Sequence, residues 1–262
     1  MLPLLDLDVF VYQAGYSAEK TQHILIDETG DFDLVPMGTS KKQVNELLRK
    51  AQQLDPGVTL ETKTIPLSLE FAIASLENLM GGVLQELGES EFQGFLSASN
   101  DPTNFRYAVA VTKPYKGLRK ESKRPTHYKA LREYLLSTYD IILCTGKEAD
   151  DGLSQAQTPD TVIVSIDKDL LQVPGWHYNF RKNEYHYISE IVGAYNLYTQ
   201  VLTGDNADNI PGLPGVGPVN AKKILKDCKT KEDLHNCVKK EYNKRKLDEM
   251  FYEVLALCKL LT

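Results

Sequence analysis

Apolar and polar positions alternate along this chain with two different periods, and the switches between them outline an α/β protein. Residues 2–11 form an apolar run broken at Asp6 and Asp8, which predicts a buried strand ending in carboxylates. Residues 23–37 alternate about Glu28-Thr29-Gly30-Asp31, the pattern of a β-hairpin. Ser40 is placed to cap a helix over residues 40–54, with Val44, Leu47, Leu48 and Ala51 on one face. Residues 59–67 alternate again. Residues 68–87 read as a long apolar helix with Gly81-Gly82 as a weak point, and residues 92–99 as a short strand.

Residues 113–129 carry Pro114, Gly117 and Pro125 and make a poor candidate for continuous regular structure. A helix over 125–137, a strand at 141–143, a helix over 148–156 and a β-branched strand at 161–166 follow. This order predicts a mostly parallel central sheet with helices on both faces. From about residue 189 the pattern is helical to the end, interrupted by one Gly/Pro-rich turn. The expected domains are an α/β domain over 1–188, with an insertion at about 17–67 and a basic arch at about 113–129, and a C-terminal helical lobe over 189–262.

Bulk properties narrow the class. The 262 residues are 42% hydrophobic and 25% charged, ordinary for a globular chain. No apolar run approaches a membrane span, and the opening residues lack a signal-peptide pattern. Cys144, Cys228, Cys237 and Cys258 form no CxxC pair and only five histidines occur, which argues against zinc. Free thiols in a reducing cytoplasm are the plain expectation. The net charge of −6 argues against nucleic acid until its distribution is considered. Between Lys113 and Arg132 stand eight lysines and arginines against one acid, Glu121. A basic track beside an acidic pocket suits phosphates and cations together.

Acidic residues gather at strand ends and helix starts: Asp6, Asp101, the set Glu148, Asp150 and Asp151, the pair Asp167 and Asp169, and the pair Asp205 and Asp208. In a parallel sheet such ends converge on one edge. Gathered carboxylates repel unless cations intervene. Hard oxygen donors in this number suit Mg²⁺ or Mn²⁺, and an acidic cup of this kind can hold two ions roughly 4 Å apart for in-line attack on phosphate. Any one pair alone is explained as a helix cap or dipole partner; five such sites are not. The hairpin acids Asp27, Asp31 and Asp33 read as solvated turn residues.

Two further features point to nucleic acid. In residues 202–225, Gly212, Gly215 and Gly217 precede Pro218, which predicts helix, tight glycine turn, helix. Backbone N–H groups at Gly215, Val216 and Gly217, with Lys222 and Lys223 one turn on, can grip a phosphate without reading sequence. In the basic stretch, Tyr107, Tyr115 and Tyr128 interleave with cations, which suits single-stranded ends.

At these residues the chain resembles the 5′-nuclease family, which includes flap endonucleases, the 5′-nuclease domain of bacterial DNA polymerase I and bacteriophage 5′→3′ exonucleases. The matching patterns, in order, are Leu4-Leu5-Asp6; Asn104-Phe105-Arg106 with Tyr115-Lys116-Gly117-Leu118-Arg119; Glu148-Ala149-Asp150-Asp151; and Asp167-Lys168-Asp169 leading to Gly-Asp-Asn-Ala-Asp-Asn. The resemblance covers about residues 1–16 and 92–262. Residues 17–67 have no counterpart, carry eight acids against six bases, and are expected to form a small βαβ insertion that shapes the substrate channel or docks a replication protein.

The resemblance implies a Mg²⁺- or Mn²⁺-dependent nuclease acting on DNA with a 5′ end or 5′ flap, with RNA–DNA hybrid as a variant substrate. Asp6, Asp101, Glu148 and Asp150 would hold one ion. Asp151, Asp167, Asp169 and Asp208 would hold or approach the second, with Asp205 close by. Asp150 and Asp151 are expected to serve catalysis with Lys116 and Arg119. Tyr115 would stack on the terminal base, and Lys116, Arg119, Lys120, Lys123 and Arg124 would clamp the 5′ strand. The glycine turn would hold duplex and, as often in the family, K⁺. The compact length suggests a phage protein working in the host cytoplasm. The rival from another class is a DNA-binding module with a degenerate nuclease fold.

Overall fold

The computed structural model describes residues 1–118 and 123–262. Chain contacts divide it into two units. One holds Met1–Phe10, Met80–Lys123 and Leu135–Thr262; the other holds Val11–Leu79 and Arg124–Tyr134.

The first unit is built on a six-stranded sheet. Its strands are β1 (Leu2–Asp6), β5 (Gln93–Ser97), β6 (Ile141–Cys144), β7 (Thr161–Val164), β8 (Gly175–Asn179) and β9 (Glu184–Ile188), in the order β6-β5-β1-β7-β8-β9. All neighbours pair in parallel except β8 and β9. The mostly parallel sheet agrees with the sequence pattern. The β8–β9 hairpin went unread because Trp176, Tyr185 and Tyr187 share one of its faces while the paired His177 and His186 occupy the other. Neither face is cleanly apolar or polar, so period-two alternation is lost.

The chain winds outward from β1 through β5 to β6, then returns to the other side of β1 to form β7. Such a reversal opens a crevice at the carboxyl ends of the strands. The first predicted strand is half the expected length. It stops at Asp6, and α1 (Leu7–Ser17) begins at the next residue. Leu7, Phe10, Val11 and Ala14 are all buried, which is helical spacing hidden inside an apolar run.

Helix α6 (Ala149–Ala156) packs on the sheet through Gly152, where a Cβ would meet Cys144 Sγ at 2.7 Å and the Phe95 ring at 2.8 Å. Leu4, Phe95, Leu153, Ile163 and Leu260 form the core behind it. Helices α7 (Glu190–Thr203), α8 (Pro218–Leu225), α9 (Lys231–Asn243) and α10 (Asp248–Cys258) enclose a second core around Leu202, Tyr242 and Phe251.

These helices belong to the same unit as the sheet, so the chain does not divide at 188/189. The side chain of Gln172, at the end of the short 3₁₀ helix Asp169–Gln172 after β7, donates to the carbonyl of Cys258 at 3.0 Å and accepts from Leu260 N at 3.0 Å. Arg106, from the short helix α4 (Phe105–Val109), donates to Leu257 O at 3.0 Å.

In the second unit, β2 (Glu19–Ile26), β3 (Phe32–Leu34) and β4 (Thr59–Pro66) form an antiparallel sheet ordered β3-β2-β4. Between β3 and β4 runs α2 (Lys41–Leu54), started by a capping box between Ser40 and Gln43. The insertion is therefore an antiparallel ββαβ arrangement and not the expected βαβ. Adjacent strands joined by a tight turn must run antiparallel. Helix α3 (Leu69–Leu87) continues through Gly81-Gly82 without a break, and α5 is Tyr128–Thr138.

Candidate active site

Four parallel strands deliver the acidic residues of the first unit. Asp6 closes β1. The segments after β5, β6 and β7 carry Asp101, Glu148 and Asp167 in turn. Asp6 is 2% exposed and accepts from Ser165 Oγ at 2.6 Å. Burial and the charge of Asp8, with a further push from Asp167, raise its carboxyl to about 7. Asp8 is itself fixed by Ser97 N, which donates to it at 3.0 Å. Burial and the charges of Asp6, Asp167 and Glu148 raise Asp150 well above the carboxylate range, with Lys116 pulling the other way. Burial, then Asp167 and Asp205, lift Asp169 to about 6. Carboxylates in this state hold more negative charge than their protein surroundings neutralise.

Glu148 starts α6 and collects donors. Lys116 Nζ is in ion-pair contact with its Oε1, Asn104 Nδ2 reaches the same oxygen at 3.2 Å, and Tyr115 OH reaches Oε2 at 3.1 Å. The Lys116 ammonium also lies 3.9 Å from Asp208 Oδ2. Lys116 has φ +54°, the left-handed region that non-glycine residues seldom occupy. Its N–H donates to the Asp208 carbonyl at 2.8 Å, which holds that conformation in place.

The expected set divides into two groups. Asp6, Glu148, Asp150 and Asp167 share one field of mutual repulsion, and Asp169 and Asp208 border it. Asp101, Asp151 and Asp205 instead have their oxygens engaged by donors of the protein. Asp151 is completely buried and forms a two-pronged ion pair with Arg106, at 2.6 and 2.9 Å. It also accepts from Glu148 N and Leu261 N, each at 3.0 Å. Burial would raise its carboxyl, but Arg106 outweighs that and holds it low. Asp101 accepts from Thr103 N, Thr103 Oγ1 and Gly146 N, at 2.9, 2.5 and 2.5 Å, and is a loop anchor. Asp205 accepts from Ala207 N at 2.7 Å, Asp208 N at 3.2 Å and Lys168 Nζ at 3.2 Å, and organises its own turn.

Among the described residues, no three His, Cys, Asp or Glu side chains are gathered closely enough to grip one metal ion as they stand. The donor chemistry nonetheless fits a hard divalent cation. The clustered ligands are all carboxylate oxygens, and the excess charge on Asp6 and Asp150 is what such an ion would neutralise. The Lys116 ammonium stands in for part of that charge.

The nucleic-acid residues also separate. Tyr115 is 4% exposed, packed with the helical core and edge-on to Tyr107 at 5.6 Å between ring centres, so it presents no face for a base. Arg119 and Lys120 lie outside the described residues. Lys123 and Arg124 are exposed, and Arg124 lies over the Tyr128 ring at 4.8 Å. Gly215 takes φ +78°, Gly217 caps α8 with Pro218 in its first turn, and Lys222 and Lys223 are exposed along it. Val216 is mostly buried, so its side chain serves packing.

Comparison with known proteins gives the arrangement a context. No protein-family model matches the chain. DNA polymerase I of Rhizobium leguminosarum is 31% identical over 123 residues, which is 44% of this chain and 12% of that protein. A 5′-3′ exonuclease of Buchnera aphidicola is 30% identical over 128 residues, or 43% of this chain and 44% of the exonuclease. Flap endonuclease Xni of Shewanella halifaxensis is 28% identical over 138 residues, or 45% of this chain and 54% of Xni. The chain thus spans about half, or less, of these relatives. Among solved structures, bacteriophage T5 5′-exonuclease with zinc ions superposes with a TM-score of 0.54 at 14% identity, over 98% of this chain and 88% of that one. The chain resembles the 5′-nucleases in sequence and shares their fold.

Several residues of this 5′-nuclease-like site carry roles that no motif in the sequence announced. Ser165 and Asp8 fix and charge Asp6, Arg106 pairs with Asp151, and Asn104 donates to Glu148. The Asn104-Phe105-Arg106 pattern marked the place but not the partner.

Proposed function

We propose that this chain is a divalent-metal-dependent 5′-nuclease that hydrolyses phosphodiester bonds of DNA bearing a 5′ end or a 5′ flap. One observation carries the reading: Asp6, Asp150, Asp167 and Glu148 crowd the crevice mouth with more negative charge than the protein offsets. The likeness to exonucleases and flap endonucleases supports the same chemistry. Those four residues would hold Mg²⁺ or Mn²⁺, with Asp169 and Asp208 at the border of the site. The bound ions would supply activated water and charge stabilisation at phosphate. Lys116 brings a positive charge to the edge of the cluster, where it can meet a phosphate oxygen. Lys222 and Lys223, beside the glycine turn, would neutralise duplex phosphates, and K⁺ would fit the carbonyls of that turn. An RNA–DNA hybrid would meet the same groups, a partner protein would use residues 17–67, and the four free thiols suit a reducing cytoplasm.

The deciding experiment is cleavage of end-labelled duplex, 5′-flap and RNA–DNA hybrid with Mg²⁺, with Mn²⁺ and with EDTA. Metal-dependent products from the 5′ side are expected. DNA binding without cleavage under every metal condition would instead identify a catalytically inactive binding module.

A further inference from the structure

The hydroxyl of Tyr115 stands between two carboxylates that reach it from distant parts of the chain. It lies 2.9 Å from Asp208 Oδ2 and 3.1 Å from Glu148 Oε2. The ring is buried in the core that includes Leu202, Leu213 and Phe251, so the hydroxyl cannot follow the carboxylates if they move. The backbone is pinned as well. Lys116 N donates to Asp208 O at 2.8 Å, and Asn209 Nδ2 donates to Pro114 O at 2.9 Å. The segment around Tyr115 is thus joined to the Asp208 turn by three hydrogen bonds and to Glu148 by two side chains, Tyr115 and Lys116.

From this geometry we infer that Tyr115 is a positioning residue for the metal-dependent reaction, setting the separation of Glu148 and Asp208 through a shared hydrogen-bond donor. The inference rests on the nuclease reading above. A phenol has one proton and donates to one carboxylate at a time. Both carboxylates therefore stay within reach of one oxygen. Hydrogen-bonded partners of this kind fix the direction of ligand oxygens and raise metal affinity. A base-stacking role would need the ring face, which is covered.

The test is Tyr115→Phe, which keeps the ring and its packing and removes only the hydroxyl. Mn²⁺ binding is measured by titration calorimetry on the DNA-free protein, alongside kcat and KM on a 5′-flap substrate at saturating and limiting Mn²⁺. The expected result is about tenfold weaker Mn²⁺ binding, a matching rise in the Mn²⁺ needed for half-maximal rate, and an unchanged KM for DNA. Thermal unfolding confirms that the variant is folded, and Tyr115→Leu, which also removes packing, should lower stability without weakening Mn²⁺ binding beyond Tyr115→Phe. Unchanged Mn²⁺ affinity in Tyr115→Phe, or a rise in KM for DNA with metal binding intact, overturns the inference. Failure of the wild-type chain itself to bind Mn²⁺ or cleave would overturn the nuclease reading first, so the two failures are distinguishable.

Discussion

Arg106 and Asp151 form a doubly hydrogen-bonded ion pair with side chains 3% and 0% exposed. Removing either partner strands a buried charge, whereas replacing both with apolar groups does not. Arg106→Met should therefore cost about 3–5 kcal/mol in denaturant unfolding, and Arg106→Met/Asp151→Leu distinctly less. A double-mutant cycle showing simple additivity would mean the pair is uncoupled. Because Asp151 is occupied in this way, Asp151→Asn should lower stability and leave Mn²⁺ affinity nearly unchanged, unlike changes at the clustered acids.

Asp6 presents the opposite case. Its carboxyl is raised from 3.8 to about 7, so the folded chain takes up its proton more readily than the unfolded chain does. Its stabilising effect is complete below the unfolded value and is lost as pH rises through about 7. Metal-free Asp6→Asn should consequently be more stable than wild type at pH 8, by on the order of 2–4 kcal/mol, and equal to it near pH 4. The same variant should have no measurable cleavage while still binding DNA. A pH-independent difference in unfolding, or cleavage at the wild-type rate, would contradict this assignment.

His177 gives a second pH signature of reversed sign. Burial holds its imidazole down at about 4, while its Nε2 bonds the Val173 carbonyl at 2.8 Å. The unfolded chain takes up the proton first, so stability is full above pH 6.5 and falls until about pH 4. The loss should total about 3 kcal/mol. Comparing wild type with His177→Phe across that window separates it from Asp6, whose effect runs the other way; parallel curves would exclude it.

Lys116→Ala should reduce turnover by about 10²-fold and DNA affinity far less, as expected for a charge that matters most in the transition state. Equal losses in both would reduce Lys116 to a backbone contact. Lys116→Gly, which suits the left-handed backbone at φ +54°, should be at least as stable as Lys116→Ala in thermal unfolding.

Lys222→Ala/Lys223→Ala should weaken duplex binding and reduce the slope of log affinity against log salt by about 2. Binding measured at several salt concentrations checks this, and an unchanged slope removes α8 from the interface.

Much of this molecule was legible in its sequence, for identifiable reasons. The hairpin at Gly30, the capped helix after Ser40 and the strand–acid junctions at Asp6 and Asp167 follow local rules that tertiary structure did not overturn. The α1 start at Leu7 was hidden because a short apolar run fits a buried strand and a buried helix equally well. Within the site, residue type gave the acids but not their partners. Asp101 and Asp205 accept from their own loops and also from Gly146 and Lys168 in distant ones, and Asp151 meets an arginine 45 positions away. Tyr115 looked like a stacking ring because its neighbours in sequence are cations; its neighbours in space are a hydrophobic core and two carboxylates.

The gap at Gly152 has a consequence for the chemistry above it. With no room for even one extra methyl between α6 and the Phe95 ring, the depth at which this helix sits on the sheet is fixed by an atom that is missing. Glu148 and Asp150 ride on the first turn of that helix, so their distance from Asp6 is dictated from behind. Swapping Gly152 for alanine would leave every acid in place and tilt the platform under two of them, detuning the cluster without touching a charge.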